Sequence, residues 1–352
     1  MTTGPRGQTY ELVLRGEIGD RFALLFDGMA LERRHGTTVL TGPVLDQAHL
    51  HGLIRRIQEL GIELVSVNPQ VPRSRRGPPM GADMSTPDTI VLVHGFWVTP
   101  RSWEDWLRHY EARGYRVIAP GYPGFEVEVE ALNADPSPIA ALTVPAILEH
   151  LEAVVRELES PPILMGHSAG GVFTQLLLDR GYGAAGVAIN SAPTEGVKMV
   201  PLSQVKSTFA VLRNPANRHK AVGFTAEQWQ YAFANTFSEE ESLGLYERYH
   251  VPASGGIFWD NVLANVTPGH QETWVDYHND DRAPLLFISG SDDHLMPPSI
   301  QRSNAKHYKS DTVTEVEEFP GPHLLPAAPG WERVADHALD WALEHAVQPS
   351  VA

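Results

Sequence analysis

The chain contains no cysteine. That absence excludes disulfides, zinc–thiolate sites and a thiol nucleophile at once. Long apolar runs are missing too. No stretch approaches the roughly 18 consecutive apolar residues that cross a bilayer, and the opening MTTGPRGQTYELVL lacks the unbroken apolar segment of a signal peptide. A cytoplasmic protein with no membrane partner is the expectation. Basic residues are in the minority, 27 against 43 acidic ones, for a net charge of −16. Such a surface repels nucleic acid and anionic lipid, so neither is an expected partner. The balance fits a small neutral or apolar substrate without identifying one. With 42% hydrophobic residues in 352, the chain can bury one large core or a large and a small one, and wholesale disorder is excluded.

Residues 1–70 read as a small α+β domain. Alternating segments at Tyr10–Ile18, Ala30–His35, Thr37–Pro43 and Ile62–Val67 suggest strands, the middle two forming a hairpin around Gly36. Asp20–Phe26 reads as a short helix. A second helix follows Asp46, with Leu50, Leu53, Ile54, Ile57 and Leu60 on one face and Gly61 as its stop. The order β-α-β-β-α-β predicts a ferredoxin-like sandwich. Residues 71–88 are rich in proline, glycine and arginine, which is linker chemistry.

Residues 89–347 alternate strands and helices, which predicts a mostly parallel sheet flanked by helices. The strands fall at Ile90–His94, Arg116–Ala119, Ile163–Gly166, Gly186–Asn190, Leu285–Gly290 and Thr312–Phe319. The helices fall at Ser102–Arg113, Ile139–Leu158, Gly171–Arg180 and Trp331–Glu344. Apolar runs such as LLFI fit strands covered on both faces. Between Asn190 and Leu285 no core strand is evident; the interval is helical in pattern and rich in aromatic residues. An excursion that long is usually functional.

The chemistry concentrates at Gly166-His167-Ser168-Ala169-Gly170. A serine hydroxyl becomes a nucleophile when it is exposed beside a base and near oxyanion donors. G-x-S-x-G achieves this on a sharp strand-to-helix turn. A bare match arises by chance in roughly one chain of this length in ten. Here a buried-strand pattern, PPILM, leads in and a helical one, VFTQLLLDRG, leads out. Further on, Gly290-Ser291-Asp292-Asp293-His294 and Phe319-Pro320-Gly321-Pro322-His323 each follow an apolar strand. The order serine, acid, histidine is that of one hydrolase fold.

These motifs, with VHGFW near Val93, resemble the α/β-hydrolase superfamily from about Thr89 to the C-terminus, in particular its lid-bearing serine esterases and lipases. The resemblance implies Ser168 as nucleophile, His323 as base and an acid in the GSDDHLMP loop. In relatives the aspartate four before the proline serves, which is Asp293 before Pro297; Asp292 is the adjacent alternative. Phe96 and Ala169 N–H groups are the implied oxyanion hole. The segment 196–280 stands where relatives carry a helical lid, so Trp97, Trp229, Phe233, Phe258 and Trp259 are candidate substrate-binding rings, with packing of the lid's own core as the alternative for each. His94 and His167 read as structural hydrogen-bonders. Asn190 stands where some relatives hold the acid, but an amide cannot supply the charge. Many relatives open the sheet with an antiparallel pair before the HG-x loop, and a linker occupies that stretch here.

The implied activity is hydrolysis of a carboxylic ester, or of a lactone or carbamate, through an acyl-enzyme. A carbon–carbon bond hydrolase or lyase on the same triad, and a ligand receptor with little turnover, are the rivals. No cofactor and no metal are expected: His49 and His51 point apart on a helix, and His278, Asp280 and Asp281 fit solvated loop charges. For residues 1–70 a structural, oligomerising (homo-oligomer) or regulatory role is expected.

Overall fold

The computed structural model describes residues 8–16, 26, 29–34, 37–44, 47–62, 64–70, 87–197, 203–204, 206–207, 214–264 and 269–347. The chain divides into two compact units, Met1–Asp83 and Met84–Ala352.

In the first unit strands β1 (Gln8–Arg15), β2 (Ala30–Arg34), β3 (Thr37–Val44) and β4 (Leu64–Gln70) form one sheet in the order β2-β3-β1-β4. Every neighbouring pair is antiparallel. Reversed, that is the 4-1-3-2 order of a ferredoxin-like sheet. Helix α1 (Gln47–Glu59) supplies Leu53 and Ile57 to a core with Leu12, Leu14, Phe26 and Leu40. The helix ends as expected at Gly61, where Ile62 N–H reaches back to Ile57 C=O over 3.1 Å, the reach of a Schellman cap. The first expected helix, the Asp46 cap, the Gly36 turn and most of the 71–88 linker lie outside the described residues.

The second unit is built on six parallel strands: β5 (Thr89–Val93), β6 (Arg116–Ile118), β7 (Ile163–His167), β8 (Ala185–Ile189), β11 (Leu285–Gly290) and β12 (Thr314–Phe319), ordered β12-β11-β8-β7-β5-β6. Among the described residues no strand precedes β5 in this sheet, so an opening antiparallel pair is not seen. β5, β7, β8 and β11 are buried at every residue, the signature of strands covered on both faces. Val91, Val93, Leu164 and Phe287 face one core and Ile90, Leu92, Met165 and Ile288 the other, as the period of two requires. Helices α5 (Val144–Arg156) and α6 (Ala169–Asp179) cover the first face. α2 (Glu104–Ala112) and α11 (Trp331–His345) cover the second. α11 inserts Val334, Ala338, Leu339 and Trp341; each fully buried leucine or valine contributes roughly 1.5–3 kcal/mol.

Two expected helices are divided. Ile139–Leu158 proves to be a short α4 (Ser137–Ala140) and α5, because Thr143 leaves the helix to accept the Ala146 N–H over 3.3 Å and Pro145 lacks a donor. Ser102–Arg113 begins with a 3₁₀ turn, Pro100–Trp103, ahead of α2. A short helix at Val129–Ala134, α3, had no clear signal.

The interval after β8 holds α7 (Ala226–Ala232), α8 (Glu239–Tyr249) and α9 (Gly255–Ala264). α7 and α8 both start in capping boxes, Thr225 with Gln228 and Ser238 with Glu241. Flanking these two helices in the chain is a feature the sequence did not suggest, a two-stranded antiparallel pair of β9 (Ala221–Val222) and β10 (Ala253–Ser254). α10 (Pro298–His307) returns the chain from β11 to β12. Chain order reverses beside β5: β6 lies on one side and β7 on the other. The crevice beyond the carboxyl ends of strands at such a switch point is where ligands bind in open α/β sheets.

Candidate active site

β7 runs straight into Ser168, which has φ 56 and ψ −118, and α6 begins at the next residue. A positive φ is strained for any residue but glycine. It is held here by backbone bonds on both sides: Ser168 N–H to Ile189 C=O (2.9 Å) and Ala192 N–H to Ser168 C=O (3.1 Å). Tight packing explains the flanking glycines. A Cβ on Gly170 would stand 2.1 Å from the Val93 carbonyl oxygen, and one on Gly95 would stand 2.8 Å from Ser168 Cβ. The obstacles to the first are backbone atoms, so Gly170→Ala is expected to cost about 3 kcal/mol or more. Thermal unfolding should then fall by about 6 °C or more; an unchanged Tm would contradict this packing.

His323 follows β12 and is fully buried. Its Nδ1–H donates to Asp293 Oδ2 at 2.7 Å. Asp293 Oδ1 accepts the N–H groups of Leu295 (2.7 Å) and Met296 (2.8 Å), so both oxygens are occupied in the buried carboxylate. Asp292 is exposed and turns away, its Oδ2 accepting from Ser291 Oγ (2.8 Å) and Gly321 N–H (3.2 Å). His323 Nε2 is enclosed and has no hydrogen-bond partner among the described residues.

The neighbouring histidines have different work. His94 Nδ1–H donates to the Gly95 carbonyl (2.8 Å), and its ring lies 3.9 Å from that of Tyr122. Burial lowers its pKa to about 4, so it is neutral near pH 7. Burial also holds the His167 pKa well below the ordinary value. Its Nε2–H donates 2.7 Å to the His323 carbonyl oxygen, a contact that no sequence signal announced. His250, in the insert, accepts the Phe224 N–H at Nε2 (3.0 Å), and burial lowers its pKa to about 4.

That shift has a measurable consequence. The folded pKa lies below the unfolded 6.5, so the native state binds fewer protons between the two values. His94 and His250 thus contribute stability that is present above pH 6.5 and lost as pH falls toward 4. Tm is expected to drop over that window. His250→Gln, which keeps an acceptor for Phe224 N–H but cannot titrate, should flatten the slope; equal slopes in both proteins would refute the assignment.

Aromatic rings close round the site. Phe96 meets Tyr122, Phe173 and Phe258 edge-on at 5.7–6.4 Å. Trp97, at φ 65, is tied to the insert: its Nε1–H donates to Val222 C=O (2.9 Å) and its carbonyl accepts Val251 N–H (3.0 Å). Phe233 stands edge-on to the His323 ring at 4.7 Å, and Trp229 stacks on Phe233 at 4.3 Å. Of the five candidate substrate-binding rings, Trp97, Trp229 and Phe233 are buried in the insert's aromatic core, whereas Phe258 and Trp259 are half-buried.

Among the described residues no group of three or more histidine, aspartate or glutamate side chains is placed to hold a metal ion, and no helix is long and apolar enough to cross a membrane.

No curated protein matches the sequence. Solved structures with the same fold include an extracellular alpha/beta-hydrolase from a Paenibacillus species (18% identity, TM-score 0.54), covering 73% of this chain and 99% of that one. A pyrethroid hydrolase from Sphingobium faniae is similar at 21% identity and TM-score 0.51, over 73% of this chain and 98% of the other. A monoacylglycerol lipase from Paleococcus ferrophilus (19%, TM-score 0.50) covers 74% and 97%. Residues 9–68 match the model of a domain of unknown function, DUF8691. Residues 90–337, more than half of the chain, match the model described as the alpha/beta hydrolase family. By its sheet order, its elbow and that match, the chain belongs to the alpha/beta hydrolase family.

Proposed function

We propose that this protein is a serine hydrolase that cleaves a carboxylic ester, with lactones and carbamates as related substrates. The observation that carries the reading is the buried 2.7 Å contact of His323 Nδ1 with Asp293 Oδ2, with the His323 carbonyl bonded to His167, the neighbour of a serine held at φ 56. Ser168 Oγ attacks the carbonyl carbon while His323 Nε2 takes its proton. The free Nε2 suits this role, and such hydrogen bonds commonly tighten only when substrate is bound. Asp293 fixes the tautomer and stabilises the imidazolium. The proton passes to the departing alcohol, leaving an acyl-enzyme. Water then attacks the acyl carbon, His323 accepts its proton, and the acid leaves as Ser168 is restored. Every proton is handled by the chain, so the reaction as written calls for no cofactor or metal.

The Ala169 N–H, first in α6, has no acceptor within the helix. With the Phe96 N–H it would receive the oxyanion, each donor being worth about 3 kcal/mol in comparable sites. The insert between β8 and β11 would act as lid, its half-buried Phe258 beside Phe96 and the half-buried Trp259 next to it in the chain offering an apolar wall to the substrate. The names of similar structures, pyrethroid hydrolase and monoacylglycerol lipase among them, agree with ester chemistry. The test is turnover of p-nitrophenyl esters across acyl chain lengths, alongside lactones and carbamates, with a fluorophosphonate probe. Labelling at Ser168 is expected. No turnover and no labelling of the folded protein would defeat the reading.

A further inference from the structure

The loops bearing Ser168, Asp293 and His323 come from three different strands, and one side chain ties the last two together. Asn190 follows β8 directly, is fully buried and has φ 45. Its Oδ1 accepts the Gly290 N–H at 2.6 Å. Its Nδ2 donates to the carbonyl oxygens of Pro322 (3.1 Å) and His323 (3.0 Å). The amide orientation is unambiguous, because an N–H can only face the oxygen and two carbonyls can only face the nitrogen. Gly290 is also the root of the acid loop, its carbonyl accepting Asp293 N–H at 3.2 Å. The His323 carbonyl has His167, the residue beside Ser168, as its second donor.

We propose that Asn190 is a positioning residue for His323: it clamps the Pro322–His323 backbone to the root of the acid loop, so that the imidazole stays in register with Asp293. The proposal rests on the hydrolase reading above for its kinetic consequence, though not for its structural one. An imidazole on an unclamped turn would sample orientations in which Nε2 misses the serine, and a misplacement of about 1 Å can cost on the order of 100-fold in rate. Binding of substrate, which touches other groups, would be spared. A carboxylate at position 190 would keep the Gly290 contact but set an anion against two carbonyl oxygens, so the same spot is unsuited to an acid in this chain.

Two variants test it. Asn190→Gly accepts a positive φ without strain and removes the whole clamp; Asn190→Asp keeps the shape and removes only the donors. In both, kcat on a p-nitrophenyl ester should fall on the order of 10- to 100-fold with little change in KM. The low-field proton resonance of the His323 Nδ1–H, assigned by its absence in His323→Ala, should broaden or disappear. Folding is checked by circular dichroism. If neither variant folds, His167→Asn, which removes the second donor to the same carbonyl, should broaden the same resonance. A folded variant with wild-type kcat, or with the resonance intact, overturns the clamp. If the wild-type protein itself neither turns over esters nor labels at Ser168, the hydrolase reading is what fails, and the resonance still decides the clamp.

Discussion

Ser168→Ala is expected to lower ester hydrolysis by about 10⁴- to 10⁶-fold, the loss seen when a triad member is removed elsewhere. What remains would be the background contributed by oxyanion donors and binding. The fold should be unaffected. The elbow is held by the backbone bonds of Ser168 with Ile189 and Ala192, which alanine keeps, and alanine faces the same positive φ as serine. Stability should therefore stay within about 0.5 kcal/mol of the parent, as for substitutions that break no named feature. Fluorophosphonate labelling should vanish together with the activity. More than a tenth of the parent rate in the folded variant, or a probe bound at another serine, would assign the nucleophile elsewhere.

Asp293→Asn should reduce turnover by roughly 10⁴-fold, as loss of the triad acid does in serine proteases. The geometry says why an amide fails. Asp293 Oδ1 already accepts two backbone N–H groups, so an asparagine would keep its oxygen there and turn its NH₂ toward His323 Nδ1. Nδ1 would then have to accept, the imidazole proton would move to Nε2, and the nitrogen proposed to take the serine proton would be occupied. Asp292→Asn should cost tenfold at most. That carboxylate is exposed and, among the described residues, bonds Ser291 Oγ and Gly321 N–H, and removing an exposed charge of this kind is a small perturbation. Steady-state kinetics of the two variants beside His323→Ala decide the matter: comparable losses at both aspartates would remove the special role of Asp293.

Much of this molecule is written locally. The buried runs of β5, β7, β8 and β11, the apolar stripe of α11, the Gly61 stop and the Gly-x-Ser-x-Gly turn are patterns within a dozen residues, because burial on a strand or helix face repeats with the period of the backbone. Ser168, Asp293 and His323 each follow one of the second unit's strands, and the ferredoxin-like sheet of the first unit follows from the succession of its own elements, β1 to β4 with α1. The resemblance to relatives, in which the aspartate four before the proline serves, favoured the aspartate that touches His323. Tertiary structure decided the rest. Asn190 and Gly290 are a hundred residues apart, and His167 and His323 are 156 apart. A hydrogen bond across such a separation leaves no periodic trace, so Asn190 looked like an acid's empty place rather than a clamp, and His167, read as a structural hydrogen-bonder, had no partner in sight. The aromatic insert follows the same rule. Its composition announced apolar packing, but which rings are sealed in its core (Trp97, Trp229, Phe233) and which stay half-open (Phe258, Trp259) depends on how α7 and α9 settle on the Phe96–Trp97 turn, and a ring's burial is a property of its neighbours, not of its own residue type.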